Sequence, residues 1–124
     1  MKYLCLVYGV EDPANILSES EEQALIDENL EYDEQLRKSG HLILAHALQP
    51  PETAVIVHVL SGRVSVTDGP FTETKEQIAG FILIEARDLN EAIQVASKDP
   101  TARYGFIEVR PVRELVKSGA GENQ

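Results

Sequence analysis

The chain has 124 residues, 43% of them hydrophobic, and a formal net charge of −10. That length supports one domain around one core. The charge argues against nucleic acid and against anionic membranes as partners, because a polyanion would be repelled and no basic stripe offsets the repulsion.

No apolar run approaches the roughly 20 residues that span a bilayer. The opening stretch from Met1 to Gly9 is apolar, but it is too short and too weakly basic for a signal peptide, and Glu11 and Asp12 follow it at once. It reads as the first strand of a cytoplasmic protein. Cys5 is the only cysteine, so an intrachain disulfide is ruled out and a reducing compartment fits. Within an apolar strand, Cys5 reads as a small buried hydrophobe rather than a nucleophile.

In chain order, residues 2–9 alternate Tyr3, Cys5 and Val7 on one face with Leu4, Leu6 and Tyr8 on the other. A strand apolar on both faces is expected to lie centrally in a sheet. Residues 18–39 read as a long helix. Ser18 with Glu21, and Ser20 with Gln23, have capping-box spacing, and acidic residues crowd the first turns. Leu25, Asn29, Tyr32 and Leu36 form its inner stripe, with Ile26, Leu30 and Asp33 beside it, and Ser39-Gly40 ends it.

His41 to Leu48 reads as a strand, stopped by Gln49-Pro50-Pro51. Residues 54–60 and 63–67 flank Ser61-Gly62 as a β-hairpin. Ile78 to Ala86 is the strongest strand pattern. Asp88 caps a second helix with Glu91 at box spacing, an expected stripe of Leu89, Ala92, Ile93 and Ala96, and a stop at Asp99-Pro100. Tyr104 to Arg110 is the last strand, Val112 to Lys117 a possible short extension, and residues 118–124 a frayed tail. The domain is thus expected over 1–117.

The order strand, helix, strand, inserted hairpin, strand, helix, strand is an α+β, split βαβ arrangement: an antiparallel sheet with both helices on one face. The other face carries Val, Ile, Leu and aromatic side chains, and no segment is left to cover it. A second copy, packed sheet against sheet about a two-fold axis, is the economical cover, so a homodimer is expected.

The densest chemistry lies in Asp68-Gly69-Pro70-Phe71-Thr72-Glu73-Thr74-Lys75-Glu76-Gln77, where turn formers, an aromatic and charges of both signs meet at the end of a strand. Together with Met1-Lys2-Tyr3 and Tyr8-Gly9, Leu48-Gln49-Pro50-Pro51, and Tyr104-Gly105 with Glu108-Val109-Arg110-Pro111-Val112, this stretch resembles the YCII-related family in its DGPF-motif subgroup. The four stretches stand in the family's order and span nearly the whole chain. The resemblance implies a dimeric α/β barrel of ferredoxin-like subunits. It also implies, through gene neighbourhood, a link to an extracytoplasmic-function sigma factor. The wider family is thought to pair a histidine on the first helix with an aspartate after the second strand. Here those positions fall on Asn29 and on Leu48 to Pro50, so the dyad is missing.

Two readings stand for Asp68: a turn residue bonded to its own loop, or a general base or orienting carboxylate. Phe71 walls a pocket or plugs the core. Lys75 binds an acidic ligand group while Glu73 or Glu76 handles a proton, or all three form a solvated loop. His41, His46 and His58 read as partly buried histidines. His46, near a strand end, is the best ligand contact among them, and none has metal-ligand spacing. Tyr8, Tyr32 and Tyr104 line a pocket or fill the core.

Neither phosphate-loop, dinucleotide nor nucleophile-elbow motifs occur, so no cofactor or metal is expected. Two functions remain: a ligand-binding or sigma-factor-associated regulatory module, and a cofactor-independent acid–base enzyme (a lyase, isomerase or oxygenase) with its cleft near the loop. The candidate residues are Asp68 as catalyst, with His46, Phe71, Lys75, Glu76 and Tyr8 contacting ligand.

Overall fold

A computed structural model describes residues 1–10, 16–69 and 76–119. Pro70, Phe71, Glu73 and Lys75 of the charged loop, and the tail beyond Gly119, lie outside the described residues. The side chain of Glu76 is likewise undescribed. The elements are β1 (Lys2–Val10), α1 (Glu19–Lys38), β2 (Leu42–Ala47), β3 (Val55–Leu60), β4 (Arg63–Asp68), β5 (Glu76–Glu85), α2 (Leu89–Ala96) and β6 (Gly105–Pro111). Short 3-10 turns occupy Pro51–Thr53 and Pro100–Arg103.

The main sheet has the order β2-β5-β1-β6, antiparallel throughout. This is the ferredoxin-like split βαβ arrangement that the element order implied. β1 and β5 are the two inner strands, and both are apolar on both sides. Tyr3, Cys5 and Val7 of β1 are buried, facing Ile84, Ile82 and Gly80 across β5 and Pro111, Val109 and Ile107 across β6. Both helices cover this face. Tyr32 and Leu36 of α1 and Ala92, Val95 and Ala96 of α2 join the same buried cluster as Tyr3, Cys5, Ile82 and Ile84. Among the described residues, no helix is long and apolar enough to cross a membrane.

Ser18 and Glu21 close a full capping box at the start of α1, so of the two spacings in the sequence the first is the one used. Ser39 caps the far end, followed by Gly40 at φ +83°, a conformation that glycine adopts without strain. At α2 the expected box is incomplete. Asp88 accepts the Glu91 N–H, but the Glu91 carboxylate turns outward to the Arg87 N–H instead of the cap's own. The inner stripe of α2 also differs from expectation. Leu89 and Ile93 are 47% and 49% exposed, and Val95 takes the inner position between Ala92 and Ala96. The alanines let α2 approach closely, and the Tyr32 hydroxyl donates 2.7 Å to the Val95 carbonyl oxygen. That bond fixes which side of α2 turns inward.

The hairpin β3–β4 forms a separate two-stranded sheet turned by Ser61 and Gly62, both at positive φ. Its register aligns Val57 with Val66 and Val59 with Val64, so one face is nearly all valine and all of it exposed. Residues 112–117 form no strand; the only continuation of β6 is a hydrogen bond from the Val112 N–H to the Lys2 carbonyl.

Where β6 begins, Gly105 lies against β1 so closely that a Cβ would strike the Tyr8 carbonyl oxygen, with the Gly9 Cα 3.2 Å away. Backbone cannot yield as a side-chain tip does. Gly105→Ala is therefore expected to cost about 1–3 kcal/mol, as overpacking does, read as a lower urea midpoint with an unchanged slope. A midpoint equal to wild type would show that β6 can shift freely.

Candidate functional site

The geometry of α1 opens a cavity. Its C-terminal half seats Tyr32 and Leu36 into the core. Its N-terminal half presents Leu25, Ile26, Asn29, Leu30 and Asp33 above a part of the sheet built from small residues: Ala45 and Ala47 on β2, and Ala79 and Gly80 on β5. The helix cannot sink into that gap because Tyr32 already sets its height. The result is a cavity of about 430 Å³ between α1 and the sheet, closed on one side by Val7 and Ile82 and on another by Asp99 and Thr101.

Gly80 and a β-bulge shape its floor. The register between β1 and β5 shifts after Val7, leaving Ala79 as an extra residue. A Cβ on Gly80 would come within 2.8 Å of the His46 carbonyl oxygen. Bulges re-aim a strand at the place where they occur, and here the Ala79 carbonyl accepts the Leu48 N–H just beyond the end of β2.

The polar wall is a linked set. The Asn29 amide donates 3.0 Å to the Leu25 carbonyl and 3.0 Å to the Thr101 hydroxyl, while the hydroxyl lies 3.3 Å from the Asn29 side-chain oxygen. The Thr101 N–H donates 2.9 Å to Asp99 Oδ1. Asp99 thus begins the 3-10 turn after α2 while sitting only 4% exposed.

Burial pushes the Asp99 carboxyl above the usual aspartate value, and the negative charge of Asp33 pushes the same way. Burial likewise raises Asp33, against the pull of Arg37. Cys5 is pushed up to about 11, first by burial and then by the charge of Asp99, so it stays a thiol at neutral pH. Tyr32 is raised by burial and by Asp99 as well. Burial is the leading cause at all four groups, and the Asp99 charge adds to it at Cys5 and Tyr32.

Of the residues singled out from the sequence, Asp68 and Tyr8 do not line the cavity and His46 borders it. Asp68 ends β4 opposite Val55, exposed on the valine face of the hairpin, and does not line the cavity. Tyr8 lies on the uncovered face of the sheet, stacked on Phe106 at 4.7 Å with its hydroxyl 3.0 Å from Glu108. His46 borders the cavity through its strand, but its ring lies on the uncovered face against Phe81, 5.9 Å between centroids.

Contrary to expectation, His46 and His58 are exposed, because both sit on strand faces that no helix covers. Only His41 is half-buried, 2.7 Å from the Ser39 hydroxyl. Tyr32 fills the core, and Tyr104 lies under Arg103, so no tyrosine lines the cavity. Glu76 opens β5, and Phe71 and Lys75 lie outside the described residues. Among the described residues no three His, Cys, Asp or Glu side chains converge as metal ligands would.

Asp33, Asp99 and Thr101 were missed. Asp99-Pro100 read as a helix stop, which it is. Its side chain points inward only because the following turn folds back beneath α1. Asn29, at the position where the family is thought to carry a histidine, belongs to the polar wall.

The raised Asp99 value has a signed consequence for stability. A carboxyl that holds its proton more tightly in the folded state contributes stability below its ordinary value and loses it as pH rises through the folded value. Asp99→Asn keeps an oxygen for the Thr101 N–H and removes the charge. The variant is expected to melt higher than wild type at pH 7, with the gap closing towards pH 4. A lower melting temperature at pH 7 would mean that the charge itself holds the turn together.

The chain is similar to known proteins along nearly its whole length. A family model described as the YCII-related domain matches residues 1–116. An uncharacterised protein of Rhizobium meliloti (strain 1021) is 33% identical over 121 residues, covering 96% of this chain and 97% of that protein. Among solved structures, the 5-chloro-2-hydroxyhydroquinone dehydrochlorinase of Burkholderia phenoliruptrix AC1100, in complex with 2,5-dihydroxybenzoquinone, is 18% identical, with a TM-score of 0.48 over 91% of this chain and 94% of that one. The family match spans every strand and both helices, including the segments that build the cavity, and the chain belongs to the YCII-related family.

Proposed function

We propose that this protein binds a small, largely apolar molecule in the cavity beneath α1. The observation that carries this reading is the cavity itself. Its volume of about 430 Å³ lies in the range of ordinary small-molecule sites, about 300–1,000 Å³, and it has their usual make-up of aliphatic walls with a few convergent polar groups. Those groups are Asn29, Asp33, Asp99 and Thr101. Asp68 is not among the residues that line the cavity.

A second reading has its own support. A buried carboxyl with a raised value, oriented by a backbone N–H, is suited to holding and passing a proton. Asp99 meets that description, so cofactor-independent acid–base chemistry would centre on Asp99.

A fragment screen followed by backbone amide resonances tests the cavity. Bound fragments are expected to shift Ala45, Gly80 and Thr101, and Ala47→Phe, which fills the space from β2, is expected to weaken them at least tenfold while the fold persists. Fragments that bind equally well to Ala47→Phe would place binding elsewhere.

Two copies are further proposed to pack through the uncovered sheet face. Leu44, Ile78 and Phe106 are each 39% exposed there, beside Leu4, Leu6, Phe81 and Leu83, an apolar extent unusual for a solvated surface. Light scattering is expected to give twice the chain mass of 13.7 kDa. Leu6→Glu with Leu83→Arg should halve it, and a wild-type monomer at micromolar concentration would refute the packing.

A further inference from the structure

Of the groups on the cavity wall that carry charge into it, both are acids, Asp33 and Asp99. The groups felt electrostatically at Asp99 are the repelling Asp33 and the hydrogen-bonding Thr101, with no cation among them. The one basic group felt at Asp33 is Arg37, and Arg37 is already bridged to Glu34 at 2.7 Å. A carboxylate that is 4% exposed and has no counter-ion among the described residues is costly to keep in an apolar setting. A metal ion fits poorly, because no third ligand converges among the described residues and the remaining walls are mostly aliphatic.

We propose that the cavity is selective for an organic amine, whose ammonium group pairs with Asp99 and Asp33 and whose apolar body lies between Leu25 and Leu30 of α1 and Ala45 and Ile82 of the sheet. The inference rests on the cavity's being a ligand site and names the chemistry of its occupant. The ammonium supplies the counter-charge that no described residue does. Thr101 and Asn29, bonded to each other, brace the turn that aims Asp99. An anionic ligand would meet two like charges with no compensating base among the described lining residues.

The test uses three probes of matched size: 2-phenylethylamine, 2-phenylethanol and 3-phenylpropionate. Each is titrated into the full chain in 0.15 M salt, and binding is followed by amide resonances. The expected result is that the amine shifts Ala45, Gly80 and Thr101 with a Kd at least tenfold below that of the carboxylate. Asp99→Asn, and separately Asp33→Asn, should reduce that preference severalfold without unfolding the protein.

Equal affinity for amine and carboxylate, or a preference for the carboxylate, overturns the amine assignment while leaving the cavity as a site. So does an amine response spread over exposed acidic residues. If none of the three probes moves the cavity resonances, the cavity reading fails and the amine assignment fails with it.

Discussion

The structure depends on β1 being apolar on both faces. Tyr3, Cys5 and Val7 must go under the helices, which sends Leu4, Leu6 and Tyr8 to the opposite side. A slip of one residue would exchange the two sets and place the Tyr3 and Tyr8 rings on the wrong faces. The other strands of the main sheet take their register from this one. β5 and β6 pair with β1 directly, and β2 follows through β5. The sheet therefore presents one face that both helices cover and one that remains apolar and uncovered among the described residues.

The cavity follows from how α1 sits on that covered face. Tyr32 is long enough to reach across to the Val95 carbonyl, so it props the helix at a fixed height. Under the C-terminal half, large groups fill the space. Under the N-terminal half the sheet offers three alanines and a glycine beside Val7 and Ile82, and the gap persists. Interiors are otherwise close-packed, so a gap of this size beside bonded polar groups marks a departure from the logic of a core. Asp99 makes the departure sharper. Burying it costs stability, and the same burial ties together the electrostatics of Cys5, Tyr32 and Asp33.

Much of the architecture was legible in the residues. Period-two alternation identified the strands, capping residues bounded both helices, and Ser61-Gly62 placed the hairpin. All of these are local signals. The errors came where a non-local contact decides. Leu89 and Ile93 suit an inner stripe by hydropathy, but the closeness of α2 to the sheet and the Tyr32–Val95 bond turned Val95 inward instead. His46 and His58 sit in apolar strands and suggested burial, but their faces have no helix above them.

What the sequence determined by itself was the element order, the split βαβ topology and the family, because these rest on periodicity, caps and turn chemistry acting within a few residues. What only the tertiary structure decided was the cavity. Asn29 on α1, Ala45 on β2, Gly80 at a β5 bulge and Asp99 with Thr101 after α2 are far apart along the chain, and each has an ordinary local reading. They come to line one cavity because Tyr32 holds α1 above small residues and because the turn at Asp99 folds beneath it. The height of a helix over a sheet is set by side chains meeting across the core, and no local pattern encodes it.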